Sequence, residues 1–359
     1  MATIGVNSDS LKQGGVVMAN SKIRILAIDG GGVRGVIPAR ILIRVEELLQ
    51  EISRNPRAKI NDFFDLVAET STGGIITALI LAPDPGFRAP EFVELYAQHG
   101  EVIFTRSAVT KTIDPMGLFN PLYQHDPLEK ILVKYFGGLK VSDLVKPCLI
   151  PTYNIENGSA IFVSGLEIRE FPSQDCFIKD VIRATTAAPT YFAPSKRLKD
   201  AFIDGGMFAN NPALCAYIEA TKFPIKPRPE DIMILSLGTG SINRKYPYEK
   251  AHRWGRLNWL RPALEIYAAA ASQTVNHQLE ILYDQKEKQA NYLRIEPNLQ
   301  EFKVNVAMDD TSPANIQALI KVGEQLSEQY ESKLRNFLTK VVLSNVVSNH
   351  EILNMLPSV

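Results

Sequence analysis

The sequence predicts an α/β fold, a largely parallel sheet lying under helices, and three observations carry that prediction. Apolar runs of strand length recur along the chain and end in Gly or Asp, as buried strands feeding loops do. Between them lie stretches with apolar residues at helical spacing. The two kinds alternate throughout, the order that a parallel sheet with helical crossovers requires. At 359 residues the chain can bury a large core. No repeat, low-complexity tract or linker divides it, so one domain is expected over residues 22–340.

Residues 1–21 are polar and glycine-bearing and read as a flexible leader. Ile23, Ile25 and Ala27, with Leu26 and Ile28 on the other face, make the first strand. It ends at Asp29 and three consecutive glycines, Gly30, Gly31 and Gly32, followed by Arg34 and Gly35. A helix follows from Pro38, with Ile41, Val45, Leu48, Leu49 and Ile52 on its inner face. Residues 61–69 lead into a short buried strand, Ser71 occupies the turn, and Gly73–Leu81 is helical. Helices are expected over 90–99 and 128–135. Cys148–Asn154 and residues 160–164 form a strand pair about the turn Glu156-Asn157-Gly158, and 178–187 is a helix closed by Pro189. Residues 201–204 make a short strand, and a helix begins near Pro212. A buried strand over 231–237 ends in Gly238-Thr239-Gly240. A long helix covers 262–287, a late strand Tyr292–Ile295, and one amphipathic helix 314–339. From residue 341 the chain reads as a tail, in which Leu353, Met355 and Leu356 pack back or meet a partner.

Lys+Arg and Asp+Glu number 39 each, so no global field draws the protein to nucleic acid. Cys148, Cys176 and Cys215 show neither a disulfide framework nor a zinc spacing, and buried thiols are expected. The first twenty residues hold no signal-peptide core, and no run approaches the ~20 apolar residues of a spanning helix. The expectation is a cytoplasmic protein, soluble or peripheral to a membrane, made without Sec export; non-classical secretion stays open.

The glycine loop, between strand and helix, presents backbone N–H groups to negative charge. Gly30-x-Gly32-x-x-Gly35 fits a dinucleotide fingerprint, but the acids at the right distance, Glu46, Glu47 and Glu51, fall in a helix rather than at a strand end. The alternatives are an oxyanion hole, which needs a nucleophile nearby, and a tight turn without chemistry. Ser71, in Thr70-Ser71-Thr72-Gly73-Gly74, sits where a strand becomes a helix. That is the setting of a nucleophile elbow and equally of an ordinary N-cap. None of His99, His125, His252, His277 and His350 stands at a strand end beside glycine, so a Ser-His-Asp triad is not supported. Asp204 does stand there, on the sheet edge expected for Ser71. It is either a base that accepts the serine proton or a turn residue. Arg34 braces the loop, attracts an anionic head group, or is a surface residue opposed by the helix dipole.

Taken together, these motifs resemble those of the patatin-like phospholipases. The family's D-G-G-G-x-R/K-G loop is matched at Asp29 to Gly35, its G-T-S-T-G elbow in part at Thr70 to Gly74, and its D-G-G/A aspartate at Asp204-Gly205-Gly206. RATTAAPTYFAP from Arg183, FANNPALCA from Phe208 and LSLGTG from Leu235 are similar too. The resemblance spans roughly residues 23–285. It implies a three-layer α/β/α sandwich with a mostly parallel central sheet, distantly α/β-hydrolase-like. It also implies hydrolysis of phospholipid or lysophospholipid acyl esters by a Ser71–Asp204 dyad, without metal or cofactor. The oxyanion would face Gly30, Gly31, Gly32 and Thr72 N–H groups, with Arg34 stabilising the loop. Some members need an activating ligand or protein partner, for which the helices beyond residue 260 are the place to look.

One position departs from the family pattern. Glu69 stands where the family has glycine, two residues before the serine. A carboxylate ~4 Å from a developing oxyanion would oppose it by roughly 1 to 4 kcal/mol, so Glu69→Gly is expected to raise turnover several-fold. Glu69 alone supports a second reading, a catalytically impaired lipid- or partner-binding module. The glycine fingerprint alone supports a third, a nucleotide-dependent oxidoreductase. The stretch 254–267, with Trp259 and Leu260, reads first as core under a lid. It reads second as a transient membrane contact with Arg256 and Arg261 toward head groups.

Overall fold

The structure, a computed structural model, describes residues 22–106, 114, 119–196, 200–242, 244–284 and 291–348, apart from the side chains of 260, 261, 264 and 346–348. The expected leader, Leu353, Met355 and Leu356 of the tail, His350, and the side chains of Leu260 and Arg261 lie outside the described residues. The first half of the chain forms β1 (Ile23–Ile28), α1 (Val36–Ser53), β2 (Leu66–Glu69), α2 (Gly73–Leu81), α3 (Ala89–Ile103) and α4 (Asp126–Phe136). Next come β3 (Cys148–Asn154), β4 (Ser159–Ser164), α5 (Gly165–Glu170), α6 (Ile178–Thr185), β5 (Phe202–Asp204), α7 (Gly206–Ala209) and α8 (Ala213–Ala220). The remainder is β6 (Ile232–Leu237), α9 (Tyr248–Ala251), α10 (Arg256–Tyr283), β7 (Tyr292–Ile295), α11 (Pro313–Gln329) and α12 (Glu331–Ser348).

The seven strands form one sheet in the order β4-β3-β2-β1-β6-β7, with β5 paired to β3 off that path. β1 lies centrally, parallel to β2 and β6, and β3 and β7 extend the sheet in the same sense. Only β4 and β5 run antiparallel, both against β3. Successive residues of β1 alternate between two cores. Leu26 and Ile28 join the larger one under α1, α2, α3, α4, α6, α11 and α12. Ile23, Ile25 and Ala27 join the smaller one, where Ala216 of α8 and Leu279 and Tyr283 of α10 pack. Burial on both faces makes β1 and β6 read as near-continuous apolar runs, broken only by Arg24 and Ser236. The result is the expected three-layer α/β/α arrangement with a mostly parallel sheet.

Several boundaries differ from the sequence reading, each for a physical reason. The glycine loop winds into a 3-10 turn, Gly32–Gly35, and α1 starts at Val36 because proline is tolerated in a first helical turn. α10 begins six residues before Pro262, which therefore lies inside the helix rather than at its start. The helix expected over 314–339 is broken at Tyr330. Both halves pack on α1, and Gly323 approaches it so closely that a Cβ there would lie 2.7 Å from Arg40 Cβ. α12 then runs through residue 340 to Ser348, with Val341 buried. Of the three thiols, Cys148 is buried while Cys176 and Cys215 are half-buried.

Asp204 arrives by a different route from the one expected. β2 runs along one edge of β3, pairing Val67 with Cys148 and Ala68 with Leu149, and stops at Glu69. β4 occupies the whole other edge of β3. β5 takes the edge that β2 vacates and runs the opposite way, from Phe202 opposite Asn154 to Asp204 opposite Thr152. The C-terminal ends of β2 and β5 therefore point at one another. The antiparallel β5 gives Asp204 a head-on approach to the β2–α2 turn, where a parallel strand would have run alongside.

Candidate active site

Ser71 follows β2 in a left-handed backbone conformation, φ 56°, which is costly for a residue with a Cβ and has to be held by its surroundings. Four contacts hold it. Ser71 N–H donates to Thr185 Oγ1 at 3.0 Å, and Thr185 in turn donates to Pro151 O at 2.7 Å. Thr70 Oγ1 donates to Ala209 O at 2.6 Å, and Thr72 Oγ1 meets Tyr96 Oη at 2.6 Å. The strain turns the serine hydroxyl out of the chain path, as a strand-to-helix elbow does. Its Oγ donates to Asp204 Oδ2 at 2.5 Å.

Asp204 is buried, and its second oxygen, Oδ1, accepts from Gly206 N–H at 2.7 Å. Burial raises its pKa from 3.8 to about 7, while the hydrogen bonds from Ser71 and Gly206 restrain the rise. A carboxyl poised there is a better proton acceptor than an ordinary aspartate and still ionised in an appreciable fraction near neutrality.

The glycine loop faces this pair. A Cβ on Gly30 would lie 3.1 Å from Ser71 Cβ and 2.6 Å from Asn210 Oδ1, so glycine is the residue that lets loop and elbow approach. Gly32 has φ +59°, and a Cβ there would meet Met308 O at 2.2 Å. The loop is fixed by Asp29 N–H to Leu237 O (3.0 Å), Val33 N–H to Met308 O (2.8 Å) and Thr239 Oγ1 to Gly30 O (2.6 Å). Asp29 itself is gripped by Arg294, with Nη1 on Oδ1 at 2.7 Å and Nη2 on Oδ2 at 2.5 Å. Arg294 also bonds Ser236, Ser272 and Glu296.

The sequence-derived donors are not equivalent. Gly30 N–H is committed to Asn210 O at 3.2 Å. Gly31, Gly32 and Thr72 N–H groups donate to no acceptor among the described residues. Arg34 braces the loop, Nε on Gly31 O and Nη1 on Gly240 O, both at 3.3 Å.

Glu69 is fully buried. It faces the same way as Val67, into the larger core, because strand residues two apart share a face. Its Oε2 accepts from Thr77 N–H at 3.1 Å. The carboxyl fills space left by Gly73 and Gly74, whose added Cβ atoms would lie 3.3 and 3.5 Å from its oxygens. Burial holds the group well above the ordinary carboxylate range, favouring the neutral acid. The side chain lies in the core beneath α2, and burial disfavours the charge on which the expected repulsion depends. Glu46, Glu47 and Glu51, the acids at the fingerprint distance, lie in α1 rather than at a strand end.

Sequence reasoning gave no role to Asn210, Thr239, Thr185, Tyr96 or Arg294. Asn210 and Thr239 do lie in FANNPALCA and LSLGTG, motifs that were visible, but their contacts to the loop are tertiary. Ser71, Thr72, Gly31, Gly32, Arg34 and Asp204 line a cavity of about 1250 Å³. Part of its wall is apolar, with Ile75, Leu95, Ile103, Phe104, Leu128 and Phe192. Phe104, Tyr123 and Phe192 pack with ring centroids 5.3–5.8 Å apart. Another part is polar, with Arg244, Glu265, Ser272, Asn276 and Arg294. Among the described residues the one grouping of metal-ligand type is His125, Asp126 and Glu129 at the start of α4, where Arg183 also engages Glu129 at 3.3 Å.

Residues 26–217 match the family model described as patatin-like phospholipase. Patatin-like protein 2 of Oryza sativa is 33% identical over 347 residues, covering 87% of this chain and 85% of the relative. Patatin-2-Kuras 3 of Solanum tuberosum is 31% identical over 350 residues, covering 88% of each chain. Patatin-like protein 6 of Arabidopsis thaliana is 31% identical over 363 residues, covering 96% of this chain and 72% of the relative. The matched region begins in β1 and contains the loop, the elbow and Asp204.

Proposed function

The chain belongs to the patatin-like phospholipase family, and from that premise we propose that it hydrolyses acyl esters of phospholipids or lysophospholipids through a Ser71 acyl-enzyme. The observation that carries the reading is the 2.5 Å hydrogen bond from Ser71 Oγ to Asp204 Oδ2, made beside unoccupied loop amides. Asp204 takes the serine proton as Oγ attacks the ester carbonyl. The oxyanion of the tetrahedral intermediate accepts from Gly31, Gly32 and Thr72 N–H groups. Gly30, whose N–H is spent on Asn210, contributes closeness of approach. Asp204 returns the proton to the departing alcohol, leaving Ser71 acylated. Water, deprotonated by the same carboxylate, then attacks the acyl carbon, and Asp204 returns the proton to Ser71 Oγ as the bond to the acyl group breaks and the fatty acid leaves. The apolar cavity wall takes the acyl chain and the polar wall the glycerol and head group.

No helix among the described residues is long and apolar enough to cross a membrane, and the lipid is met by transient contact with a membrane surface. A chromogenic short-chain ester assay on wild type, Ser71→Ala and Asp204→Asn tests the mechanism. Both variants should lose at least about a thousandfold in kcat, and activity surviving Ser71→Ala rejects the dyad. Mass spectrometry of mixed membrane lipids after incubation identifies the ester that is cut.

A further inference from the structure

The segment from Arg244 to Tyr267 leaves more apolar surface in water than a free-standing helix end needs to. Among the described side chains from Tyr248 to Gln278 none is buried, and Leu279 is the first that is. Leu257 is 89% exposed, Tyr248 77%, Tyr267 52% and Trp259 39%, so the expectation of core under a lid does not hold here. Trp254 packs edge-on against Tyr246 and Trp259, ring centroids 5.4 and 5.1 Å apart, which makes one contiguous aromatic patch. Interleaved with it are exposed Arg244, Lys245, Lys250, Arg253 and Arg256, against two acids, Glu249 and Glu265, the second of which pairs with Arg244. In a chain of zero formal net charge this is a local positive field.

The patch is continuous with the candidate active site. Arg244 and Tyr246 reach Glu265 of α10 at 3.0 and 2.8 Å, and Glu265, Ala268 and Ser272 of that helix line the cavity. Whatever covers the patch therefore sits at the cavity's rim.

We propose that this tip, built from α9 and the first turn of α10, is the docking surface for an anionic phospholipid bilayer. The choice of a lipid occupant rests on the lipid-hydrolase reading. Indole, phenol and leucine side chains enter the boundary between head groups and acyl chains, and the flanking lysines and arginines keep their charges at the phosphates. Anionic lipid adds a favourable increment for each such cation. Docking this tip sets the cavity mouth against the membrane, where a lipid can enter without crossing water.

The test uses the full chain carrying Ser71→Ala, so that the vesicles stay intact. Co-sedimentation compares phosphatidylcholine vesicles with vesicles in which about one third is phosphatidylserine. Binding to the anionic vesicles should be at least about tenfold tighter and should weaken as salt is raised. The two tryptophans of the chain both lie in the patch, so their emission should shift to the blue on binding. Replacing Lys250, Arg253 and Arg256 by Ala should weaken anionic binding roughly a hundredfold, at about fivefold per charge. The same triple change in the Ser71 chain should leave turnover of a soluble short-chain ester unaltered, which shows that the fold survives. Equal affinity for both vesicle types, unmoved tryptophan emission, or unchanged binding by the triple variant overturns the proposal. So does a self-associated state that buries the tryptophans and that vesicles do not displace. If wild type cleaves neither soluble ester nor vesicle lipid, the hydrolase reading fails, and vesicle binding still decides the docking surface.

Discussion

Asp204 and Glu69 are both buried carboxyls within two residues of the β2–α2 turn or bonded to it, yet Asp204 accepts from Ser71 Oγ and Glu69 from Thr77 N–H. Asp204 bonds Ser71 and, as the proposed base, has to be ionised to take its proton. With burial raising its pKa to about 7, the active fraction grows as pH rises through that value. kcat/KM should therefore climb with unit slope below about pH 7 and level off above it. A rate that holds down to the ordinary aspartate range near pH 4 would show that another group is the base. Glu69 points away beneath α2, and its neutral form is favoured. Glu69→Gln should thus keep turnover within about twofold at neutral pH. Glu69→Gly should gain no activity and should lose roughly 2–4 kcal/mol of stability through the cavity it opens. A several-fold faster Glu69→Gly enzyme with unchanged melting would restore the repulsion account. The sequence disclosed which residues to weigh here. It could not disclose which way Glu69 points, because strand alternation fixes a face only after the strand's end is known.

Loops and strand ends, rather than helix interiors, decide whether these residues meet. The glycine loop was legible because three glycines leave little else to infer, and β1, β2 and α2 were legible from apolar runs bounded by turn residues. The direction of β5 was not legible, since three residues carry no signal that tells a parallel from an antiparallel partner. The pins on the loop escaped notice for a related reason: Thr239 is about two hundred residues away from Gly30. Its Oγ1 donates to Gly30 O at 2.6 Å, and its side chain occupies the space beside Gly31. Thr239→Val keeps the volume and removes the donor. A buried carbonyl left without its partner costs about 1–3 kcal/mol, and the loop amides lose their fixed position. kcat on a soluble ester should fall roughly ten- to hundredfold, because displacement of positioned groups by about 1 Å carries that penalty. KM should change little. An unaltered kcat accompanied by lower stability would confine Thr239 to holding the fold.

At the scale of the whole molecule the site depends on the two cores that clamp β1, and the C-terminal helix belongs to that clamp. The sequence pattern set a tail after residue 340 because the amphipathic stripe weakens there. In the structure, residues 341–345 of α12 close the base of the sheet instead. Val341 is buried in the larger core. Asn345 Nδ2 donates to Asp62 O at 3.0 Å, and its Oδ1 accepts from Arg24. Arg24 is itself a buried cation on β1, bound to Asp65 with Nη2 to Oδ1 at 2.6 Å. That ion pair sits at the opposite end of β1 from the glycine loop, so its support acts on the strand that carries the loop. Truncation after Lys340 exposes Val341's site, worth about 1.5–3 kcal/mol, and removes two hydrogen bonds of about 1 kcal/mol each. The truncated chain should unfold at lower urea, by roughly 3–5 kcal/mol in stability, while the molecules still folded retain their turnover of a soluble ester. Asn345→Ala should reproduce about 1–2 kcal/mol of that loss without removing any chain. If the truncation leaves the unfolding midpoint where it was, the segment beyond residue 340 is a tail in energetic terms, and Arg24 is held by Asp65 alone.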